Sequence, residues 1–160
     1  MGERRRMNLA HRFSSSSVSD ETAPPRRRQV AALVHRTTEN GLEVLLITSR
    51  DTGRWIIPKG WRHKGRSRAK SALIEAYEEA GVRGTVRRKP LGTYVYAKWI
   101  DKKGRNFDCL VDVFSVSLKK QAKSWPEQKE RKHVWLRPDT AARRVSEPEL
   151  KRLIRNYGRQ

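Results

Sequence analysis

The sequence predicts one domain of mixed α and β structure. Three observations predict it. Apolar runs of strand length, bounded by turn residues, lie on both sides of residues 67–80. Residues 67–80 carry Ala69, Leu73, Ala76 and Ala80 at helical spacing. Residues 147–157 place Leu150, Leu153, Ile154 and Tyr157 on one helical stripe. At 160 residues the chain is long enough to bury a substantial core.

The elements follow in order. Residues 29–35 are an apolar β-run, Asn40-Gly41 is a hairpin signal, and residues 42–48 are the partner strand. Asp51-Thr52-Gly53 turns the chain into a short strand, 55–57, which Pro58 ends. A helix follows from Ser67, its N-cap, to Ala80, with Gly81 as its stop. Residues 86–99 read as a long β segment interrupted near Pro90 and Gly92. Residues 101–106 turn, 107–118 alternate as a strand, 133–136 are a short strand, and 147–157 are a C-terminal amphipathic helix. Periodicity alone goes no further than α+β.

Composition narrows the partners. The formal net charge is +20. Residues 1–28 hold seven Lys or Arg against three Asp or Glu, so most of the charge belongs to residues 29–160. That division sets a polar, basic arm at 1–28, with Ser14 to Ser17 in a row, against a folded domain at 29–160. Such a charge favours polyanions: polyphosphates, nucleic acid or an acidic surface. Cys109 is the one cysteine, which excludes an intramolecular disulfide and a Cys-rich metal site. No apolar run approaches membrane-spanning length, and no membrane partner is expected. The Arg and Ser of the first segment hint at an organellar leader. Glu3, Asp20 and Glu21 argue against one, so a cytoplasmic location is expected.

Glu75, Glu78 and Glu79 are spaced i, i+3, i+4, which puts three carboxylates on one helix face. Leu73, Ala76 and Ala80 fall opposite them, so the carboxylates should point away from the core. Like charges this close repel unless a cation offsets them, and clustered oxygens suit Mg²⁺ or Mn²⁺. Lys59, Arg62, Lys64, Arg66, Arg68 and Lys70 abut them, with no acid among residues 59–70. Many phosphates bound at once need such a cluster. Lys102, Lys103 and Arg105 are candidates to extend it. His63 and His133 lack metal-ligand spacing. Trp61, Trp125, Tyr94 and Tyr96 are available to stack on a base, though aromatics at period two are more often packing.

Pro58-Lys59-Gly60, the helix and Gly81 together resemble the Nudix box, GX5EX7REUXEEXGU, where U is a bulky aliphatic residue. Gly60, Glu75, Glu78, Glu79, Gly81 and Val82 match in register. Arg66 stands at the first family Glu, Ile74 at the family Arg, and Ala76 at the first U. The run from Trp55 to Trp61, with Trp125-Pro126-Glu127 and Arg131 to Trp135, is similar to the branch containing the diphosphoinositol polyphosphate phosphohydrolases. The resemblance implies an α/β fold, an α/β/α sandwich on a mixed sheet. It implies metal-dependent hydrolysis of a diphosphate linkage, with Mg²⁺ or Mn²⁺ as cofactor. Glu78 and Glu79 are then metal ligands, and Glu75 is a ligand or orients the attacking water. Glu75 and Glu79 are the catalytic carboxylates, and the Gly60 carbonyl is a further ligand. Glu127 and Glu130 are candidates for an additional acid outside the box.

Arg66 has competing readings: fewer or weaker ions in the site, a direct contact to substrate phosphate, or simple exposure to solvent. Arg66 or Arg68 would have to replace the guanidinium missing at Ile74. The expected substrate is a small polyphosphorylated molecule held by Lys59, Arg62, Lys64 and Arg66, a diphosphoinositol or dinucleoside polyphosphate. The competing function is a catalytically weak module of the same fold that binds RNA or polyphosphate. The oligomeric state is left open.

Overall fold

The computed structural model describes residues 26–100 and 102–159. The basic arm expected over 1–28 lies outside the described residues up to residue 25. Arg26, Arg27 and Arg28 instead open the first strand, β1 (Arg26–Thr38).

β1 is the centre of the sheet. It pairs antiparallel with β2 (Gly41–Thr48) across the Asn40-Gly41 hairpin, where Gly41 takes φ 97°. On its other side it runs parallel to β7 (Asn106–Gln121). β3 (Trp55–Ile56) and β8 (His133–Leu136) both pair with β2. β5 (Val82–Val86) and β6 (Gly92–Ile100) both pair with β7. A two-residue strand, β4 (Lys59–Gly60), pairs with β1 through Val30 opposite Gly60 and Ala31 opposite Lys59. Parallel and antiparallel pairs coexist, so the sheet is mixed.

The run from Val30 to Val34 is continuously apolar because the sheet is covered on both faces. Successive side chains alternate between two cores. Ala31 and Leu33 join Val44, Leu46, Val111 and Val113 beneath α2 (Pro138–Arg144) and α3 (Pro148–Tyr157). Val30, Ala32 and Val34 join Leu45, Ile47 and Phe114 beneath α1 (Arg68–Ala80). This is the expected α/β/α sandwich.

The interruption expected near Pro90 is found: the ladder breaks over residues 87–91, where Pro90 has no N–H to give, and β6 follows. Other details differ from expectation. β5 starts directly after Gly81. α2 was not anticipated, although Pro138 at its first turn, Asp139 beside it and Arg143 and Arg144 in its last turn are ordinary helix signals. Its seven residues are too few for periodicity to register.

α1 carries the site, and its ends are well defined. The Ser67 hydroxyl accepts from the Lys70 N–H at 3.1 Å. Gly81 takes φ 69°, and its N–H reaches back to the Tyr77 carbonyl at 2.8 Å. A β-carbon at Gly81 would enter the indole of Trp125. The connection from β7 to β8 then docks on the open carbonyls of the helix end. Gln121 Nε2 donates to the Ala80 carbonyl at 2.9 Å, and the Glu127 N–H to that of Glu78 at 3.0 Å.

Two substitutions test this account of α1 by urea denaturation. Gly81→Ala should lose roughly 2–4 kcal/mol, from left-handed strain plus the clash with Trp125. Ser67→Ala should lose about 1 kcal/mol through the cap alone. Equal, small losses for both would contradict it.

Candidate active site

The packed stripe of α1 is Ala69, Ala72, Ala76 and Ala80. Small side chains bring the helix close to the sheet. At 100° per residue Glu79 falls at the edge of that stripe and Glu75 about 40° beyond it, inside a wider buried arc that runs on to Ser71. The expectation that the carboxylates point away from the core is therefore corrected: Glu75 and Glu79 are buried, and only Glu78 is half-exposed. The buried arc reaches from Ala80 through Ala72 to Ser71, whereas the expected stripe of Ala69, Leu73, Ala76 and Ala80 stopped short of the carboxylates.

Each buried carboxylate has its own partners. Glu79 Oε2 accepts the backbone N–H of Lys59 at 3.3 Å, and Oε1 faces Arg131 NH2 at 3.3 Å. Glu75 Oε1 meets His63 Nε2 at 2.9 Å. The Glu75 carboxylate also lies against the α-carbon of Gly60, and a β-carbon there would collide with it. Glycine at 60 is thus required by close approach.

Burial drives the proton affinity of both groups upward. Glu79 is pushed up to about 8, chiefly by desolvation and further by Glu75 and Glu127, against the pull of Arg131 and the Lys59 N–H. Glu75 is raised by burial, which the hydrogen bond from His63 opposes. Lys59 is lowered by burial, partly countered by Glu79, and its Nζ sits over the Tyr96 ring at 4.4 Å.

Arg131 is the residue that sequence reasoning missed. Its side chain is only 8% exposed. It bridges Glu79 and Glu127, at 3.3 Å to each, and donates from NH1 to the Thr48 carbonyl at 3.0 Å. It supplies the guanidinium that Ile74 lacks. The expectation that Arg66 or Arg68 would do so is corrected. Arg66 is exposed, with its carbonyl accepting from Arg62 Nε at 2.8 Å. Arg68 is engaged 2.6 Å from Asp112, a carboxylate only 2% exposed that also faces Arg28. The resemblance took in Arg131 within the run Arg131 to Trp135, but nothing in the sequence tied it to Glu79, 52 residues before it.

These groups line a cleft of about 560 Å³. Of the expected site residues, Lys59, Gly60, Arg62, Glu75, Glu78, Glu79 and Glu127 line it, while Lys64, Arg66 and Glu130 do not. Arg50 joins them unannounced, and so does His63, which corrects the expectation that its spacing kept it from the metal site: the fold, not a local spacing, brings it to Glu75. Arg50 pairs with Glu127 at 3.0 Å and Glu130 at 3.3 Å. Lys102, Lys103 and Arg105 do not line the cleft. Among the aromatics, Trp61 stands at the cleft 42% exposed. Trp125 packs on Gly81, Tyr94 is buried in the core, and the Tyr96 hydroxyl donates to Gln29 at 2.9 Å.

The donors fit a divalent cation. Oxygens of Glu75 and Glu78 and a nitrogen of His63 lie within 4.8 Å of one another, with Gly60 giving the clearance.

The carboxylates set a pH dependence. Folded Glu79 keeps its proton where the unfolded chain, near 4.5, has lost it. Stability of the metal-free protein should therefore fall as pH rises from about 5 to 8, by on the order of a few kcal/mol. Thermal unfolding in chelator should show that fall, and Glu79→Gln should flatten it. An unchanged slope in the variant would remove Glu79 as its source.

Comparison with known proteins places the chain. Residues 25–157 match the NUDIX domain. The chain is 33% identical over 104 residues to Nudix hydrolase 13, mitochondrial, of Arabidopsis thaliana, covering 61% of this chain and 50% of that protein. It is 29% identical over 117 residues to diphosphoinositol polyphosphate phosphohydrolase 3-alpha of Mus musculus, covering 72% and 66%. The chain thus spans about half to two thirds of the length of these relatives. Its fold is similar to that of the C. elegans Ap4A hydrolase in a binary complex, with a TM-score of 0.60 at 18% identity, covering 82% of this chain and 95% of that one. With its box carboxylates gathered at one cleft and residues 25–157 matched to the NUDIX domain, the chain belongs to the Nudix family.

Proposed function

We propose that this chain hydrolyses a diphosphate linkage in a highly phosphorylated small molecule, a diphosphoinositol polyphosphate or a dinucleoside polyphosphate, with Mg²⁺ or Mn²⁺. The observation that carries this reading is the joining of the three α1 carboxylates and four cationic side chains in one cleft. Diphosphate hydrolysis requires both: acids to hold a cation and take a proton, and cations to hold the phosphates.

Glu75, Glu78 and Glu79 would hold the metal, with the Gly60 carbonyl as a further ligand. A divalent ion bound there acidifies water and neutralises phosphate charge. Glu75 or Glu79, where the cation leaves a carboxylate oxygen free, takes the proton of the attacking water. Lys59 N–H and Arg131 keep Glu79 oriented. Arg50 and Arg62, both exposed at the cleft, hold phosphate oxygens. Lys59 does so from deeper in. A substrate with few phosphates would engage only some of these cations.

A second reading has one observation in its favour. Lys64, Arg66 and Lys70 are exposed outside the cleft, where a compact substrate does not reach. They suit a longer polyanion such as RNA. Binding of that kind weakens by roughly one logarithmic unit of salt slope per phosphate contact and needs no divalent metal.

Phosphate release from a panel of diphosphate compounds, with and without divalent metal, tests the main reading. Release should depend on metal, and Glu79→Gln should lower kcat by on the order of a hundredfold while the fold persists. Equal turnover by the variant, or metal-independent RNA binding with no hydrolysis, would overturn it. The two halves of the basic loop should also separate. Arg62→Ala should raise KM several-fold on the most heavily phosphorylated substrates, and Lys64→Ala should change it little. Equal effects would place phosphate binding outside the cleft.

A further inference from the structure

We propose that His63 is a nitrogen ligand of the metal site on α1, and that this nitrogen shifts the site's preference from Mg²⁺ toward Mn²⁺. The inference rests on the reading that the α1 carboxylates hold a divalent cation, and it names which cation they select.

The position of the ring is the first support. His63 Nε2 lies 2.9 Å from Glu75 Oε1, and one oxygen of Glu78 completes a group whose donor atoms all lie within 4.8 Å of one another. Ligands around a first-row dication sit about 2.1–2.2 Å from it, so neighbouring donors are about 3 Å apart and opposed ones a little over 4 Å. The three atoms need to close only slightly to share an ion.

The second support is that the backbone of His63 is anchored. Its N–H donates to Ser71 Oγ at 2.9 Å, and its carbonyl accepts from the Arg66 N–H at 3.1 Å. Ser71 is fully buried, and its hydroxyl donates to the Ser67 carbonyl at 2.8 Å. The loop is therefore tied to the first turn of the same helix that carries Glu75 and Glu78. The imidazole is 31% exposed and lines the cleft, so an ion can reach it.

The third support is what stands at position 66. The box resemblance calls for an acid there, and this chain has an exposed arginine off the cleft. His63 is the neutral donor that the same loop does deliver. Imidazole in place of a carboxylate lowers the charge of the ligand set. It favours first-row transition ions over Mg²⁺, which prefers oxygen and holds its water tightly.

The test uses the full chain, freed of metal and reloaded with Mn²⁺. Pulsed electron paramagnetic resonance of bound Mn²⁺ should show coupling to a directly bound ¹⁴N, absent in His63→Ala and in His63→Gln. By titration, His63→Ala should weaken Mn²⁺ binding about tenfold or more, since even outer partners of metal ligands are worth that much. Mg²⁺ affinity should change by less than about threefold. Two variants are used so that one that fails to fold leaves the other to assign the nitrogen. Mn²⁺ that binds, and is lost in Glu78→Gln, but shows no ¹⁴N coupling would overturn the inference and leave the carboxylate site standing. His63 would then only orient Glu75. Failure of Mn²⁺ to bind, or binding indifferent to Glu78→Gln, would overturn both.

Discussion

The packing of α1 against the sheet constrains everything else in this molecule. An alanine stripe lets the helix approach closely, and that approach takes Glu75 and Glu79 out of water. Two carboxylates on adjacent turns repel each other, and burial adds a desolvation cost to each. The fold therefore has to bring compensating groups to them. It does so with one backbone N–H from β4, one imidazole from the loop before α1, and one guanidinium from the approach to β8.

Each of those groups arrives by a separate structural device. The Lys59 N–H is placed because β4 pairs with β1, with the Pro58 carbonyl held by the Ala32 N–H at 2.9 Å. His63 is placed by Ser71. Arg131 is placed because the β7–β8 connection caps the end of α1 and then stitches to Thr48 through Lys132. The same contacts that finish the helix thus deliver the cation its carboxylates need. This answers the oddity of Ile74 in the box. The chain carries its guanidinium on a different element and keeps Arg131 nearly buried, where an ion pair is screened little by salt.

A cleft built this way has acids within and cations around them. Arg50 and Arg62 are exposed, while Arg131 and Lys59 are largely covered. Arg131 is committed to Glu79 and Glu127, while Lys59 meets Glu79 through its backbone N–H and keeps its Nζ over the Tyr96 ring. The exposed pair is free to move toward a ligand, although Arg50 must leave Glu127 and Glu130 to do so.

The sequence alone was enough for most of the elements and for placing three carboxylates together on α1. Gly60, the i, i+3, i+4 spacing of Glu75, Glu78 and Glu79, and Gly81 are local features. Helix geometry and turn chemistry act within a few residues, so they are legible without tertiary structure. The mixed sheet was legible through the resemblance, and the continuous apolar run at Val30 to Val34 accords with a strand covered on both faces. Tertiary structure alone decided which acids are buried, because that depends on which stripe of α1 meets the sheet, and both an Ala and a Leu–Ala stripe were available. It alone decided the partners as well. Arg131 comes from 52 residues beyond Glu79, and His63 from a loop that folds back on the helix. Lys64 and Arg66 differ from Arg62 only in which way that loop turns them. Charge patterns in sequence count cations, but direction is set by a chain reversal at Gly65, which takes φ 75°. No spacing rule reaches across such contacts, since they are fixed by packing between elements rather than by any period within one.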